Sequence, residues 1–135
     1  MVLPLLGIML VAIIFGGMTF FNYVELANAV GVGARTLGTT GRLQGTSACS
    51  TANTALTTAA GNLNASQITI APETFALGYS CTSVPIQGDA ATITATYPCN
   101  LPIPFTSMNL CPVQGGVTQC PTPYCISATT TVYIE

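Results

Sequence analysis

The chain opens with a long apolar segment that contains no charged residue. No charge occurs from Met1 to Val24; the first acid is Glu25 and the first base is Arg35. About 20 apolar residues are enough for a helix to cross a hydrocarbon core of about 30 Å. The segment therefore predicts a transmembrane helix.

The apolar pattern does not stop at the end of this segment. Apolar residues recur at helical spacing as far as Leu37, and Gly38 stands where a helix-ending glycine is expected. The pattern predicts one helix from about Val2 to Leu37, and hence an N-terminal helical unit at 1–38 and a head at 39–135. A simple membrane anchor would pass into a polar linker. A helix with a continuing apolar stripe suits a subunit that sits first in lipid and later against other copies.

The first part of the head predicts a second, shorter helix. Alanine and leucine recur at helical spacing with Ser and Thr between them, from about Cys49 to Leu63. Ser47 is a candidate N-cap, and either Gly61-Asn62 or Asn64 is a candidate end.

The remainder of the head predicts strands. Threonine alternates with apolar residues at 91–97 and 126–134, a shorter alternation occurs at 67–71, and 74–82 is a weaker candidate. The Pro- and Cys-rich excursion at 98–123 fits no regular element. The expected fold is α+β: a long hydrophobic N-terminal helix, then a small head with a short helix and a three- to four-stranded antiparallel sheet stapled by disulfides.

The composition is unusually poor in charge. Only 4% of the 135 residues are charged and the net charge is −2, whereas about 25% is usual in soluble domains. Two arginines cannot form a phosphate-binding surface, so we expect no nucleic-acid partner. A Thr-rich head of low charge suits a surface exposed to harsh extracellular conditions, and it also suits close packing of many copies; the competing explanation is a compositional peculiarity of one lineage.

Six cysteines in so short a chain predict a disulfide framework in an exported head. Local spacing favours Cys111–Cys120 or Cys120–Cys125, and Cys49 is expected to join a helix to the sheet. A metal site is the competing interpretation, but the chain has no histidine and no Cys-x-x-Cys pair. The six cysteines are Cys49, Cys81, Cys99, Cys111, Cys120 and Cys125.

No catalytic constellation is visible in the sequence. A histidine base is missing, and the four acids Glu25, Glu73, Asp89 and Glu135 lie far apart along the chain. We therefore expect a protein that is not an enzyme and that uses no cofactor or metal. Asn64-Ala65-Ser66 matches the acceptor motif for N-glycosylation.

Residues near the end of the apolar segment have two interpretations each. Glu25 either pairs with Arg35 of a neighbouring subunit or is a solvated acid that marks the edge of the bilayer. Phe20, Phe21 and Tyr23 form an aromatic belt in a monomer or core packing in a filament. Small residues let helices approach closely in a bundle. The expected filament-core positions are Leu6, Ile13, Gly16, Gly17, Phe20, Phe21 and Val24.

Several segments together resemble the TadE-like pilins. Val2-Leu3-Pro4-Leu5-Leu6 is similar to the Leu-Pro-Leu-Leu opening of that family, and the block at 23–35 resembles its small-residue helix ending in Gly-Ala-Arg. The Thr-alternating segments at 92–98 and 126–132 resemble the family's two strands, the first ending in Tyr-Pro and the second opening with Ser-Ala-Thr.

This resemblance implies a subunit of an extracellular pilus of the tight-adherence branch of type IV pili. Such a subunit is held in the inner membrane, meets the pilus assembly machinery, and polymerises with itself through its N-terminal helix. The alternative is a minor pilin or membrane-anchored adhesin that acts as a monomer. The chain departs from the family at Leu5, where many type IV filaments have an acid, and it begins without the basic stretch and glutamate that precede the peptidase cut.

Overall fold

The computed structural model describes residues 2–44, 47–78, 80, 81, 83, 86–100, 109, 111 and 124–135. These residues form the predicted α+β fold, with a long N-terminal helix, a short second helix and a four-stranded antiparallel sheet. The elements are α1 (Val2–Gln44), α2 (Ala48–Ala59), β1 (Thr69–Ile70), β2 (Thr74–Phe75), β3 (Ala90–Pro98) and β4 (Cys125–Tyr133).

The helix α1 is longer than the sequence pattern predicts. It continues through Gly38 to Gln44, so the predicted end at Leu37 is wrong. Gly38 serves close packing instead of termination: a Cβ on it would lie 2.8 Å from Cγ2 of Val132 and 3.2 Å from the carbonyl oxygen of Tyr133. In the following turn, which remains helical, Thr39 and Thr40 donate their hydroxyls to the carbonyls of Arg35 and Thr36 in the preceding turn.

The helix α2 folds back along the second half of α1. Its buried stripe consists of Ala48, Cys49, Ala52 and Leu56. Gly33 of α1 allows the contact, since a Cβ there would lie 3.1 Å from Cβ of Leu56. Small residues on both sides thus bring the two helix backbones close together.

The ends of α2 differ in part from those predicted. Ser47 occupies the N-cap position, as expected, but its side chain makes no capping hydrogen bond. The helix ends at Ala59, before the predicted Leu63. Asn64 instead begins a 3-10 turn at Ala65–Gln67.

The sheet is built around β3. The strand β4 pairs along its full length, with Ala91 opposite Val132. On the other edge, β2 pairs near the start of β3 and β1 near its end. The two long strands confirm the Thr-alternating predictions to within one residue at each end, whereas the two short strands occupy only part of the segments predicted for them.

Alternation on β3 separates a buried face from a hydroxyl-bearing face. Ala91, Ile93 and Ala95 are fully buried and belong to the core that includes the second half of α1. On the opposite face the hydroxyls of Thr92 and Thr94 hydrogen bond to those of Thr131 and Thr129, at 2.9 and 3.0 Å. The other fully buried side chains of the core include Leu26, Val30, Leu37 and Leu56.

Two disulfides are defined within the described residues, Cys49–Cys81 and Cys99–Cys111. The first ties α2 to the segment between β2 and β3, close to the expected helix-to-sheet link. The second shows that the predicted Cys111–Cys120 pair is wrong, because Cys111 is bonded to Cys99, which precedes it in the chain. Cys125 is also disulfide-bonded, whereas Cys120 and most of the 98–123 excursion lie outside the described residues.

Candidate functional site

The helix α1 passes through two different environments. From Leu5 to Val24 nearly every large apolar side chain is exposed, and Ile13 is 71% exposed. From Leu26 onward the apolar stripe is buried in the head, and Leu26 itself has no exposed surface. The change occurs at Glu25, without a break in the helix.

The exposed half of α1 is long and apolar enough to span a membrane. Its most apolar stretch has a mean hydropathy of 2.1 and is not buried by the rest of the chain. An N-terminal segment of this kind indicates membrane insertion or a signal sequence, and the disulfides indicate an extracellular environment. The predicted filament-core side chains Leu6, Ile13, Phe20, Phe21 and Val24 all lie exposed on this half.

The glycines of this exposed half make no close contact with the rest of the described chain. A Cβ built on Gly7, Gly16 or Gly17 would meet nothing within 4 Å there. A glycine inside a helix costs about 1 kcal/mol relative to alanine. These glycines therefore lower the stability of the helix, and no contact within the described chain offsets that loss.

The carboxylate of Glu25 is bound within the same chain. Its Oε1 accepts hydrogen bonds from the backbone N and the side-chain Nδ2 of Asn62, at 3.2 and 3.0 Å, and its Oε2 accepts from Nδ2 at 3.2 Å. Asn62 follows α2, so these bonds tie the end of the α2 segment to the middle of α1. The sequence offered no signal for this contact, because it depends on the return path of α2.

Arg35 is exposed and lies far from Glu25. Ten residues of helix separate the two, which is about 15 Å along the axis. Arg35 lines a shallow groove of about 380 Å³ between α1 and β4, together with Asn28 and Thr130. Within the described residues its guanidinium has no acid partner, and its pairing with Glu25 of a neighbouring subunit stays a prediction.

Hydroxyls on the helices are largely satisfied by their own backbone. Thr54 and Thr58 of α2 donate to the carbonyls of Ser50 and Thr54, and Thr19 and Thr36 of α1 do the same within that helix. Such a hydroxyl loses little when a neighbouring surface covers it, because its hydrogen bond is kept. This arrangement gives the helices an uncharged surface that can be buried at low cost.

Three candidate metal ligands meet beside α2, but two of them are bonded to each other. The ligand atoms of Cys49, Glu73 and Cys81 lie within 4.8 Å of one another, while the two sulfurs form a disulfide. A disulfide sulfur is not the thiolate that binds a metal. Glu73 Oε2 lies 3.0 Å from Sγ of Cys81, where no proton is available for a hydrogen bond. Its Oε1 is buried and has no hydrogen-bond partner.

The remaining acids are not brought together into an acid–base pair. Asp89 is buried at the start of β3, where its Oδ1 accepts from the backbone N of Leu77 at 3.3 Å. Glu135 is exposed at the same end of the sheet, where the preceding Ile134 donates its backbone N to the carbonyl of Asp89, but the backbone N of Glu135 turns to the carbonyl of Gly38 and no hydrogen bond joins the two carboxyl groups among the described residues. A broad depression of about 580 Å³ between Val32 and α2 is lined by Ser, Thr and Ala, with no ionisable side chain among its described lining.

Comparison with known proteins finds no family model that matches the chain, and no match among the curated proteins or the solved structures.

Proposed function

We propose that this protein is a structural subunit of an extracellular type IV-like pilus of the tight-adherence kind. In this proposal the exposed half of α1 anchors the subunit in the inner membrane before assembly. The pilus assembly machinery then extracts it, and it polymerises through the same surface. The TadE-like features of the sequence and the two environments of α1 support this assignment.

The observation that carries the proposal is the abrupt change along one continuous helix. Apolar side chains are exposed as far as Val24 and are buried from Leu26. Lipid shelters such a surface as well as a protein does, so transfer from membrane to filament gives little hydrophobic gain. Close helix packing must supply the net stabilisation, and the glycines at 16 and 17 have open space for it.

The competing assignment is a minor pilin or a membrane-anchored adhesin. It uses the same helix as an anchor and leaves the uncharged helical surface in water. Copy number separates the two: a major subunit forms the bulk of a filament, whereas an adhesin or minor pilin stays in the membrane fraction or occurs in traces.

Electron microscopy of material sheared from the producing cells, with mass spectrometry of its main band, tests the assignment. Filaments composed chiefly of this chain are the expected result. Filaments that lack the chain, or contain it only in traces while it remains in the membrane fraction, would contradict the major-subunit role and favour the competing assignment.

A substitution at the open glycines sharpens this test. Gly16→Leu with Gly17→Leu adds side chains at positions where a Cβ meets nothing within 4 Å in the described chain, and it improves helix propensity. We expect the subunit to accumulate in the membrane with a folded head and to form no filament. Leu5→Ile is the matched control, since it keeps an exposed apolar residue on the same half of α1. Normal filaments from the double variant would exclude close helix packing at these glycines.

A further inference from the structure

We infer that Asn64 is the acceptor of an N-linked glycan. Of the seven asparagines in the chain, only Asn64 is followed two positions later by Ser or Thr with a residue other than proline between them. The motif alone is a short pattern. Its conformation and exposure in the folded head supply the argument.

Asn64 and Ser66, the first and third residues of the motif, are joined by two hydrogen bonds. Asn64 Oδ1 accepts one hydrogen bond from the backbone N of Ser66 at 3.1 Å and a second from the Ser66 hydroxyl at 2.7 Å. This is an Asx-turn closed by the hydroxyl of the motif. Both donors draw electron density toward the amide oxygen, which makes the Nδ2 protons easier to remove.

The reacting nitrogen is available in the folded protein. Residues 64–67 are all exposed, and they form the connection between α2 and β1. Both hydrogen bonds to the side chain of Asn64 use its oxygen, and no partner of Nδ2 is found in the described part of the chain. A transferase can therefore reach Nδ2 without unfolding the head.

The donor that fits is a lipid-linked sugar diphosphate, because acceptor and donor then share one membrane. In the transfer, Nδ2 of Asn64 forms a bond to the anomeric carbon while the bond from that carbon to the phosphate oxygen breaks. The lipid diphosphate leaves with the bonding electrons, and a base of the transferase takes the proton from Nδ2. No oxidant or reductant is needed.

A glycan at Asn64 would raise the solubility of a head that has few charged residues. The chain has only six ionisable Asp, Glu, Lys and Arg residues in all, and the carboxylate of Glu25 is already bound by Asn62, two positions before the acceptor. A bulky hydrated sugar supplies the solubility that surface charge gives to other domains. The inference rests on export of the head and not on polymerisation.

The test is peptide mass spectrometry of the full chain from its producing cells, on both membrane-bound and sheared protein, with fragmentation that retains side-chain modifications. We expect a glycan mass on the peptide that contains Asn64. The mass should disappear in Asn64→Gln and Ser66→Ala and persist in Ser66→Thr. Asn100→Gln, an exposed asparagine without the motif, is the control and should leave the mass unchanged.

Two results would overturn the inference. One is an Asn64 peptide recovered only in unmodified form from the wild-type protein. The other is a glycan that persists in Ser66→Ala. Because membrane-bound protein is included, the result does not depend on whether filaments form, and a failure here is distinguishable from a failure of the pilus assignment.

Discussion

The carboxylate of Glu25 and the amide of Asn62 join two segments that are 37 residues apart in the chain. Three hydrogen bonds connect them, at 3.0 to 3.2 Å. Glu25 marks the end of the exposed half of α1. Through these hydrogen bonds it also holds the end of the α2 segment against α1. The carboxylate thus has a hydrogen-bond partner within its own chain, while its pairing with Arg35 of a neighbouring subunit stays a prediction.

Removal of the Glu25–Asn62 hydrogen bonds should lower the stability of the head by a modest amount. Hydrogen bonds to a charged group are worth about 1.5–3 kcal/mol when buried, and these bonds are partly exposed, so we expect Glu25→Ala to lower the free energy of unfolding by about 1 kcal/mol. Asn62→Ala should cost a similar amount, and the double variant should cost hardly more than either. Thermal unfolding of the full chain in detergent measures all three.

Additive losses in that cycle would show that the two residues stabilise the head independently. Glu25→Gln serves as the control, since its amide oxygen still accepts from Asn62. If Glu25 instead pairs with Arg35 of a neighbour, Glu25→Gln should stop filament formation while it leaves the unfolding temperature almost unchanged.

Local patterns in the sequence predict the elements well and the ends of α1 and α2 poorly. The Thr alternation of β3 and β4 is confirmed because one face of each strand is buried and the other carries hydroxyls. The end of α1 was misplaced because Gly38 resembles a helix-ending residue. Only the folded chain reveals that the missing side chain makes room for Val132.

Close approach at Gly38 predicts a sharp contrast between two helical glycines. In Gly38→Ala the new Cβ would lie 2.8 Å from Cγ2 of Val132, and such overpacking typically costs about 1–3 kcal/mol. Gly31→Ala meets nothing within 4 Å and should stabilise the helix by up to about 1 kcal/mol. Chemical denaturation of the two variants should give shifts of opposite sign.

A second substitution identifies the cause of the loss. Val132→Ala removes the closest atom and should restore part of the stability lost in Gly38→Ala. The restoration should be incomplete, because the carbonyl oxygen of Tyr133 remains 3.2 Å from the new Cβ. A Gly38→Ala variant as stable as the wild type would contradict the packing role of Gly38.

Long-range pairings lay beyond local sequence reasoning. Six cysteines allow fifteen connectivities, and the bond between Cys99 and Cys111 depends on the path of the segment between them. The partner of Glu25 escaped prediction for the same reason. The antiparallel return of α2 places Asn62 beside it, whereas a helical pattern alone gives no distance between separate elements.

The two defined disulfides should differ in what they contribute. Cys49–Cys81 closes a separation of 32 residues and Cys99–Cys111 one of 12. Chain-entropy estimates give about 4 kcal/mol for the first and about 3 kcal/mol for the second. Replacing Cys49 and Cys81 together by alanine should therefore lower the unfolding temperature more than replacing Cys99 and Cys111. The reverse order would show that local packing, and not loop length, governs their contribution.

The negative charge of Glu73 should protect the Cys49–Cys81 bond from anionic thiols. Its Oε2 lies 3.0 Å from Sγ of Cys81, and thiol–disulfide exchange begins with attack by a thiolate. A repulsion of about 1 kcal/mol between this carboxylate and a thiolate that approaches the neighbouring sulfur would slow attack about fivefold. Glu73→Gln should speed reduction of this bond by glutathione at low salt and should speed it less with a thiol that bears a positive charge. Equal acceleration by both thiols would point to easier access instead of charge.

The two environments of α1 predict different consequences for two alanine substitutions on the same helix. Leu26 is fully buried in the head, so Leu26→Ala should cost about 2–5 kcal/mol of the free energy of unfolding through a lost contact and a cavity. Ile13 is 71% exposed, so Ile13→Ala should leave the unfolding of the head unchanged in detergent. If the exposed half packs in a filament, Ile13→Ala should instead reduce the temperature at which filaments dissociate. A head that loses equal stability in both variants would mean that Leu5 to Val24 is part of its folding unit, and the division of the helix at Glu25 would have to be abandoned.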